Sequence, residues 1–229
     1  MPITTCVFDA YGTLFDVAAA AREAASEPGR DAFATKWQKV ANDWRLKQLQ
    51  YSWLRALADA YTDFWEVTQN GLDFALEAND LADDAELRER LLALYWQLSA
   101  YPEVPAMLAA LKAQGMNTAI LSNGSPDMLD GAVRSAELTE VLDDVLSVQD
   151  VGIFKPHKSV YDLVMKRFGC TPAEVLFVSS NCWDACAAAG NGFYTVWVNR
   201  AGEPLDRLPW QPQAQLSDLT DIPKIAKAQ

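Results

Sequence analysis

Short, near-continuous apolar runs alternate along this chain with longer stretches of helical periodicity. Ile3 to Phe8 is apolar and partly β-branched, stops at Asp9, and is followed by Tyr11-Gly12-Thr13, a strand-to-loop break. Later runs take the same form. Thr118 to Leu121 ends at Ser122-Asn123-Gly124-Ser125-Pro126, Val175 to Val178 at Ser179-Ser180-Asn181, and Tyr194 to Val198 at Asn199-Arg200. Between them, Val104 to Gln114 sets Met107, Leu108 and Leu111 on one face before Gly115, and Lys158 to Phe168 sets Val160, Leu163, Val164 and Phe168 on one face before Gly169. Strands apolar throughout and separated by helices are what a parallel sheet covered on both faces requires. The pattern predicts an α/β fold with a doubly wound parallel sheet. Polar and small residues collect just after the strands, at the carboxyl edge where open α/β sheets bind ligands.

The stretch 16–98 departs from this rhythm. It holds no convincing strand and is rich in Ala, Leu, Trp and charge, with Trp37, Val40 and Trp44, then Leu54, Leu57, Tyr61 and Phe64, at helical spacings. It predicts a helical cap inserted after the first strand. The core is then residues 1–15 and 99–229 and the cap 16–98. Because the insertion leaves near Asp9 and rejoins at Tyr101-Pro102-Glu103, it is placed to cover the strand ends. Gly202 to Pro212 is Pro-rich and reads as a loop.

Composition narrows the partners. Half of the 229 residues are hydrophobic, enough for a packed core, and the net charge of -12 comes from acidic residues scattered through helical stretches. Such a surface repels nucleic acid and anionic membranes, so neither is expected as a partner, and an anionic substrate needs a local cationic pocket. No apolar run reaches membrane-spanning length. The opening lacks the basic and apolar regions of a signal peptide, and the four cysteines, Cys6, Cys170, Cys182 and Cys186, lack paired CxxC spacing. Reduced, buried thiols in a cytoplasmic protein are the expectation.

Asp9 closes a strand at the ligand edge, where a carboxylate serves as a helix cap, a metal ligand or a nucleophile. Thr13 can hold one of its oxygens, Lys155 lies in a strand-to-helix loop, and Asp184 follows the third apolar run. Four reactive groups therefore sit on converging segments.

These residues carry a resemblance. Asp9-Ala10-Tyr11-Gly12-Thr13-Leu14 resembles the first motif of the haloacid dehalogenase superfamily, Ser122-Asn123-Gly124 the second, Lys155-Pro156 the third, and Ser179-Ser180-Asn181-Cys182-Trp183-Asp184 the fourth. Order and spacing agree over almost the whole chain. The resemblance implies a Rossmann-like core under a helical cap. Phosphatase members carry a second Asp where Tyr11 stands, and a Gly-Asp pair that helps hold Mg²⁺ where Ser179-Ser180 stand. A hard dication wants several oxygen ligands, carboxylates above all, whereas a halide leaves carbon without a proton or a metal. The segment Trp44 to Arg55 is similar to the cap of the L-2-haloacid dehalogenase branch.

That branch implies hydrolysis of short-chain (S)-2-haloacids to (R)-2-hydroxyacids, with no metal or cofactor, by a homodimer whose partners are the small 2-haloacid and water. Asp9 would attack the halogen-bearing carbon and Thr13 would position it. Lys155 would keep Asp9 ionised. Arg45, with Asn123, Phe64 and Trp183, would receive the halide, and Ser122 with nearby backbone N–H groups would hold the substrate carboxylate. Tyr11, Leu49 and Tyr161 complete the substrate surroundings, and Ser179, Asn181 and Asp184 would surround the water of the second step. Leu46 stands where relatives often carry Gln, and Asn191 where an aromatic is common, which touches substrate preference more than the reaction.

Blander readings stand beside these. Arg45 can be a solvated helix residue, Phe64 and Trp183 core aromatics, His157 a loop residue, and Cys182 a thiol with no histidine partner. A magnesium-dependent phosphatase on the same fold, or a catalytically idle binding protein, are the alternative functions.

Overall fold

The computed structural model describes residues 2–229. In chain order the elements are β1 (Thr5–Phe8), α1 (Ala19–Ala25), α2 (Asp31–Ala34), α3 (Trp37–Leu57), α4 (Phe64–Glu77), α5 (Ala85–Tyr95), α6 (Val104–Ala113) and β2 (Asn117–Ser122). Then come α7 (Pro126–Ser135), β3 (Asp144–Ser147), α8 (Lys158–Phe168), β4 (Val175–Ser179), α9 (Cys182–Gly190), β5 (Tyr194–Val198), β6 (Ala214–Leu216) and α10 (Ile222–Ala228).

The strands form one six-stranded sheet in the order β3-β2-β1-β4-β5-β6, parallel at every pairing. Every residue of β1 and β4 is buried. Since successive side chains point to opposite faces, both faces of the sheet centre are covered, and alternation with polar residues is neither present nor needed. The chain runs from β1 to β2 and β3 on one side, then crosses to β4, β5 and β6 on the other, so the winding reverses beside β1. Phe8 is in register with both Ile120 and Val178. Asp9, one residue later, stands in the crevice that such a reversal opens at the carboxyl edge.

Two strands were not foreseen from the sequence pattern. β3 and β6 are the sheet edges, four and three residues long. Both include polar residues, Asp144 and Ser147 in β3 and Gln215 in β6, because one side of an edge strand meets no neighbour and needs no full apolar run.

Between β1 and β2 lie α1 to α6. The helical reading of Trp37, Val40 and Trp44 holds, with Val40 and Trp44 buried on α3. The second stripe does not continue it. Leu54 and Leu57 are exposed, α3 ends at Leu57, Tyr61 lies in the connection, and Phe64 opens α4. Asp59 with φ 52° breaks the helical path, and Asp63 restarts it by accepting the Glu66 N–H at 2.9 Å as an N-cap.

One buried polar cluster pins α3, α4 and α5 together. Gln48 Nε2 donates to Thr68 Oγ1 at 2.9 Å and to the Tyr95 hydroxyl at 3.1 Å, the Trp44 indole N–H donates to Thr68 O at 2.8 Å, and Thr68 donates to Phe64 O at 2.7 Å. A buried polar group stripped of its partner costs about 1–3 kcal/mol. Gln48→Leu is therefore expected to lower stability by about that amount, read as a shift of the urea midpoint. An unchanged midpoint would show that the cluster does not hold the three helices.

Candidate active site

The site is built around the turn that follows β1. Asp9 N–H extends the ladder by donating to Val178 O at 2.9 Å, after which the chain folds tightly. Ala10 O accepts the N–H groups of Thr13, Leu14 and Phe15 at 3.2, 2.9 and 3.1 Å, and Gly12 donates to Phe15 O at 2.7 Å. Gly12 has φ +86°, and a Cβ there would lie 3.0 Å from Ser180 Oγ, so both conformation and space call for glycine. The turn brings Thr13 Oγ1 within 3.2 Å of Asp9 Oδ2. Thr13 Oγ1 accepts the Ser180 N–H at 2.8 Å, tying this loop to the one after β4.

Each Asp9 oxygen has its own donors. Oδ1 accepts from Lys155 Nζ at 3.2 Å, and Oδ2 accepts from Thr13 and, at 2.9 Å, from Asn181 Nδ2. Lys155 Nζ also donates to Asp184 Oδ2 at 2.8 Å, and the Tyr161 hydroxyl donates to Asp184 Oδ1 at 2.7 Å. Lys155 is 1% exposed and Asp184 0%, which makes this an ion cluster out of reach of bulk water. Burial works against the Lys155 charge, but Asp184 and then Asp9 outweigh it and hold the ammonium above its usual range. Burial raises the Asp184 carboxyl above the usual carboxylate range, with Lys155 opposing. Burial, then Asp184, pushes the Tyr161 phenol well up, so it stays a protonated donor.

Arg45 comes from α3 across the mouth of this site. Its Nη2 donates to Tyr11 O at 3.1 Å and to Asn181 Oδ1 at 3.0 Å, so Asn181 joins the guanidinium to the Asp9 carboxylate. A solvated helix residue makes no such contacts. Leu49 and Trp53 follow Arg45 at four-residue intervals on the same face, and Trp53 packs edge-on against Trp183 with centroids 5.3 Å apart. Tyr11 stacks on Tyr95 at 5.5 Å and on Phe64 at 6.2 Å. Phe64 is 2% exposed and packs on Phe154, so it is a core aromatic that also walls the site. The Tyr11 hydroxyl and the Trp183 indole N–H are buried without a protein partner, two free donors in otherwise aromatic walls.

The remaining predicted residues shape loops. Ser122 Oγ accepts the Gly124 N–H and Ser179 Oγ the Asn181 N–H, both at 3.1 Å, and each hydroxyl keeps its hydrogen to donate. Asn123 Oδ1 accepts the Lys155 backbone N–H at 2.9 Å, leaving its NH₂ as the donor end. His157 caps α8, its Nδ1 accepting the Ser159 N–H, and Cys182 lies 4.0 Å from the Cys186 sulfur. Sequence reasoning gave no role to Ser180, Trp53 or Tyr95. Trp53 could have been found by extending the Arg45-Leu49 spacing one step, whereas nothing in the α5 pattern sets Tyr95 apart from its apolar neighbours.

The donor set does not suit a divalent cation. Both carboxylates are paired with the Lys155 ammonium, which competes with a cation for their oxygens, and Tyr11 presents a phenol rather than a further carboxylate. Among the described residues no three His, Cys, Asp or Glu side chains gather as a metal group.

Residues 3–192 match the family model of haloacid dehalogenase-like hydrolases. The (S)-2-haloacid dehalogenase 1 of Pseudomonas sp. (strain CBS-3) is 46% identical over 224 residues, covering 98% of this chain and 96% of that protein. A crystal structure of a dehalogenase with intermediate complex superposes with a TM-score of 0.93 at 40% identity, covering 98% and 97% of the two chains. The L-2-haloacid dehalogenase from Xanthobacter autotrophicus with chloropropionic acid covalently bound superposes with a TM-score of 0.87 at 36% identity, covering 97% and 98%.

The buried ion cluster generates a stability prediction. Removing one partner of a buried pair leaves an uncompensated charge and costs about 3–5 kcal/mol, so Lys155→Met is expected to lose that much at neutral pH. Asp184 is already raised in the folded protein and rises further once the cation is gone. A raised folded-state carboxyl binds a proton on folding, so its contribution to stability grows as pH falls. The deficit of Lys155→Met against wild type should therefore shrink on acidification from pH ~7 toward Asp184's raised range, measured by urea unfolding. A deficit independent of pH would mean that Asp184 does not carry the uncompensated charge.

Proposed function

The chain belongs to the haloacid dehalogenase-like hydrolases, and we propose that it hydrolyses short-chain (S)-2-haloacids to (R)-2-hydroxyacids through an ester on Asp9. One observation carries the reading. The Asp9 carboxylate is held by Lys155 on one oxygen and by Thr13 and Asn181 on the other, beneath Arg45, with no second carboxylate in the turn from Ala10 to Phe15. That arrangement suits a nucleophile facing a carbon whose leaving group takes no proton.

In the first step an Asp9 oxygen forms a bond to C2 from the face opposite the halogen, and the carbon–halogen bond breaks with its electron pair going to the halide. Arg45, a planar and weakly hydrated cation, receives that charge, with the Asn123 NH₂ beside it. The Tyr11 hydroxyl, the Trp183 N–H and the Ser122 hydroxyl supply donors for the substrate, and Leu49 and Phe64 flank its alkyl part. Fixing the carboxylate in line removes orientational freedom from the encounter, worth up to ~7–11 kcal/mol in favourable cases. Lys155 neutralises Asp9 in the approach of an anionic substrate.

In the second step water attacks Cγ of the ester and its proton passes to Asp184, whose raised carboxyl is a better base than an exposed aspartate. The C–O bond to C2 survives and the Asp9 Cγ–O bond breaks, the leaving alkoxide taking the proton held on Asp184 while the proton left on the regenerated Asp9 carboxyl passes to solvent, so the product keeps an oxygen that belonged to Asp9. Ser179 and Asn181 stand beside this water, and Tyr161 keeps Asp184 oriented. Exposed Leu54 and Leu57 on α3 and four free cysteines support a homodimer in the cytoplasm as part of this proposal.

Three experiments test the reading. Wild-type protein should release chloride from (S)-2-chloropropanoate, unaffected by EDTA, and yield the (R)-hydroxyacid; a retained or racemic product would exclude a single in-line displacement. During one turnover in ¹⁸O-water the label should enter the Asp9 peptide, and an unlabelled peptide would make Asp9 a base rather than a nucleophile. Arg45→Lys should lower turnover by at least ~10-fold, since the charge stays but the planar fork is lost. Near-normal turnover in that variant would assign the halide elsewhere.

A further inference from the structure

The chain leaves the sheet after the Asp9 turn and returns before α6, and the two crossing segments are bonded side by side. Asp16 N–H donates to Ser99 O at 3.0 Å, Tyr101 N–H donates to Leu14 O at 2.9 Å, and Phe15 and Ala100 form an isolated antiparallel bridge. This pair of segments is the only covalent route between α1–α5 and the sheet. Arg200, just beyond β5, grips both of them. Its Nη2 donates to Thr13 O at 3.2 Å on the outgoing side and pairs with Glu103 Oε1 at 2.7 Å on the returning side. Its guanidinium carbon lies 3.7 Å from the centre of the Tyr101 ring.

Nothing in the reaction uses this cation, and it touches neither Asp9 nor any substrate donor. Arg200 side-chain exposure is 21% and that of Glu103 19%, so the pair is partly sheltered, and Arg200 Nε is buried without a partner. The loop behind it is braced. Asn199 Oδ1 accepts the Glu203 N–H at 2.8 Å and Asn199 Nδ2 donates to Glu203 O at 2.9 Å, fixing the backbone on which Arg200 stands. The outgoing segment has a second neighbour that matters. Val17 and Ala18 form one wall of a cavity of about 90 Å³ whose other walls include Arg45, Gln48 and Tyr95. α1, which continues that segment, packs against α3, and Arg45 itself bonds Tyr11 O in the turn before the segment, so the two positions are linked.

We propose that Arg200 is a positioning residue for the dehalogenation reaction, clamping the two crossing segments to the sheet so that α3 seats Arg45 over Asp9. The inference rests on the dehalogenase reading of the site. Its physical content is a population. If α1–α5 rock away when the clamp is lost, only a fraction of molecules present Arg45 in place, and apparent affinity falls by that fraction. Saturating substrate, which itself bonds to Arg45, restores the seated form, so the maximal rate is preserved. One nitrogen, Nη2, satisfies both Thr13 O and Glu103 while the planar guanidinium lies over Tyr101, and lysine can keep the charge but not the stacking.

Steady-state kinetics and hydrogen exchange on full-length Arg200→Met and Arg200→Lys provide the test. Arg200→Met should raise KM for (S)-2-chloropropanoate about 10-fold with kcat within ~3-fold of wild type, and Arg200→Lys should recover part of the KM. Peptides covering residues 14–18 and 98–103 should exchange at least ~10-fold faster in Arg200→Met, while the β4 peptide exchanges as in wild type. A fall in kcat with KM unchanged would overturn the clamp, because it would place Arg200 in the chemical step. Unchanged exchange in both crossing peptides, or faster exchange everywhere, would also overturn it, the latter by reducing Arg200 to global stability. The exchange measurement needs no turnover, so it judges the clamp even if wild type releases no halide, a result that would count against the dehalogenase reading alone.

Discussion

A single ammonium group buried between two carboxylates sets the terms for the rest of this protein. Lys155 Nζ reaches Asp9 at 3.2 Å and Asp184 at 2.8 Å where side-chain exposure is 1% for the lysine, 9% for Asp9 and 0% for Asp184. Moving such charges out of water costs several kcal/mol per ion and is offset only by good geometry and full satisfaction of the remaining lone pairs. That requirement explains the surroundings. Tyr161 completes Asp184, Thr13 and Asn181 complete Asp9, and the Asn123 carbonyl end fixes the Lys155 backbone. Each of these comes from a different element, so β1, β2, α8 and α9 must all be in register before the cluster is satisfied. The site is costly as a stability device and precise as a positioning device.

The reversal of winding beside β1 makes this possible. Only there do two neighbouring strand ends diverge enough to admit side chains from loops on both sides, and the Asp9 turn and the Ser179–Asn181 loop meet across that gap through Thr13 Oγ1. The helices inserted after β1 then supply what the sheet edge lacks. Arg45 brings a positive charge to a chain of net charge -12, and Phe64 and Tyr95, stacked against Tyr11 of the Asp9 turn, bring walls without polar surface beyond a few donors. An anionic substrate is thus drawn by a local field against an unfavourable global one.

Much of this was legible in the sequence because the same physics governs both levels. Central strands buried on two faces must be apolar throughout, so β1, β2, β4 and β5 announce themselves, and the polar residues that end them mark the ligand edge. Asp9, Thr13, Lys155 and Asp184 were readable as a convergent set for that reason. Edge strands escape the rule, and β3 and β6 were missed. The Leu54–Phe64 stripe misled because periodicity records spacing and not what a residue faces, and Asp59 and Asp63 broke a helix that the apolar positions alone would have continued. Ser180 and Tyr95 were invisible for another reason. Their parts in the site depend on tertiary neighbours, the Gly12 turn for one and the Tyr11 ring for the other, and no local pattern encodes a neighbour 60 or more residues away.

Tyr11 shows how one position redirects a shared scaffold. A carboxylate two residues after Asp9 would add a second negative charge beside the nucleophile, which only a divalent cation or a proton could offset. A phenol at the same place adds none. Burial, with Tyr95 and Asp9 nearby, raises its ionisation well above the ordinary range, so it remains neutral beside Asp9 and its hydroxyl remains a donor. Its ring then fills space against Phe64 and Tyr95 and forces Gly124 to be glycine, since a Cβ there would lie 2.8 Å from Tyr11 Cε2. With the extra charge gone, two cations are sufficient to balance Asp9 and Asp184, Lys155 between them and Arg45 through Asn181. The same phenol that adds no charge also supplies an aromatic wall beside Asp9, and a displacement at carbon that needs neither proton nor metal is the chemistry such a site favours.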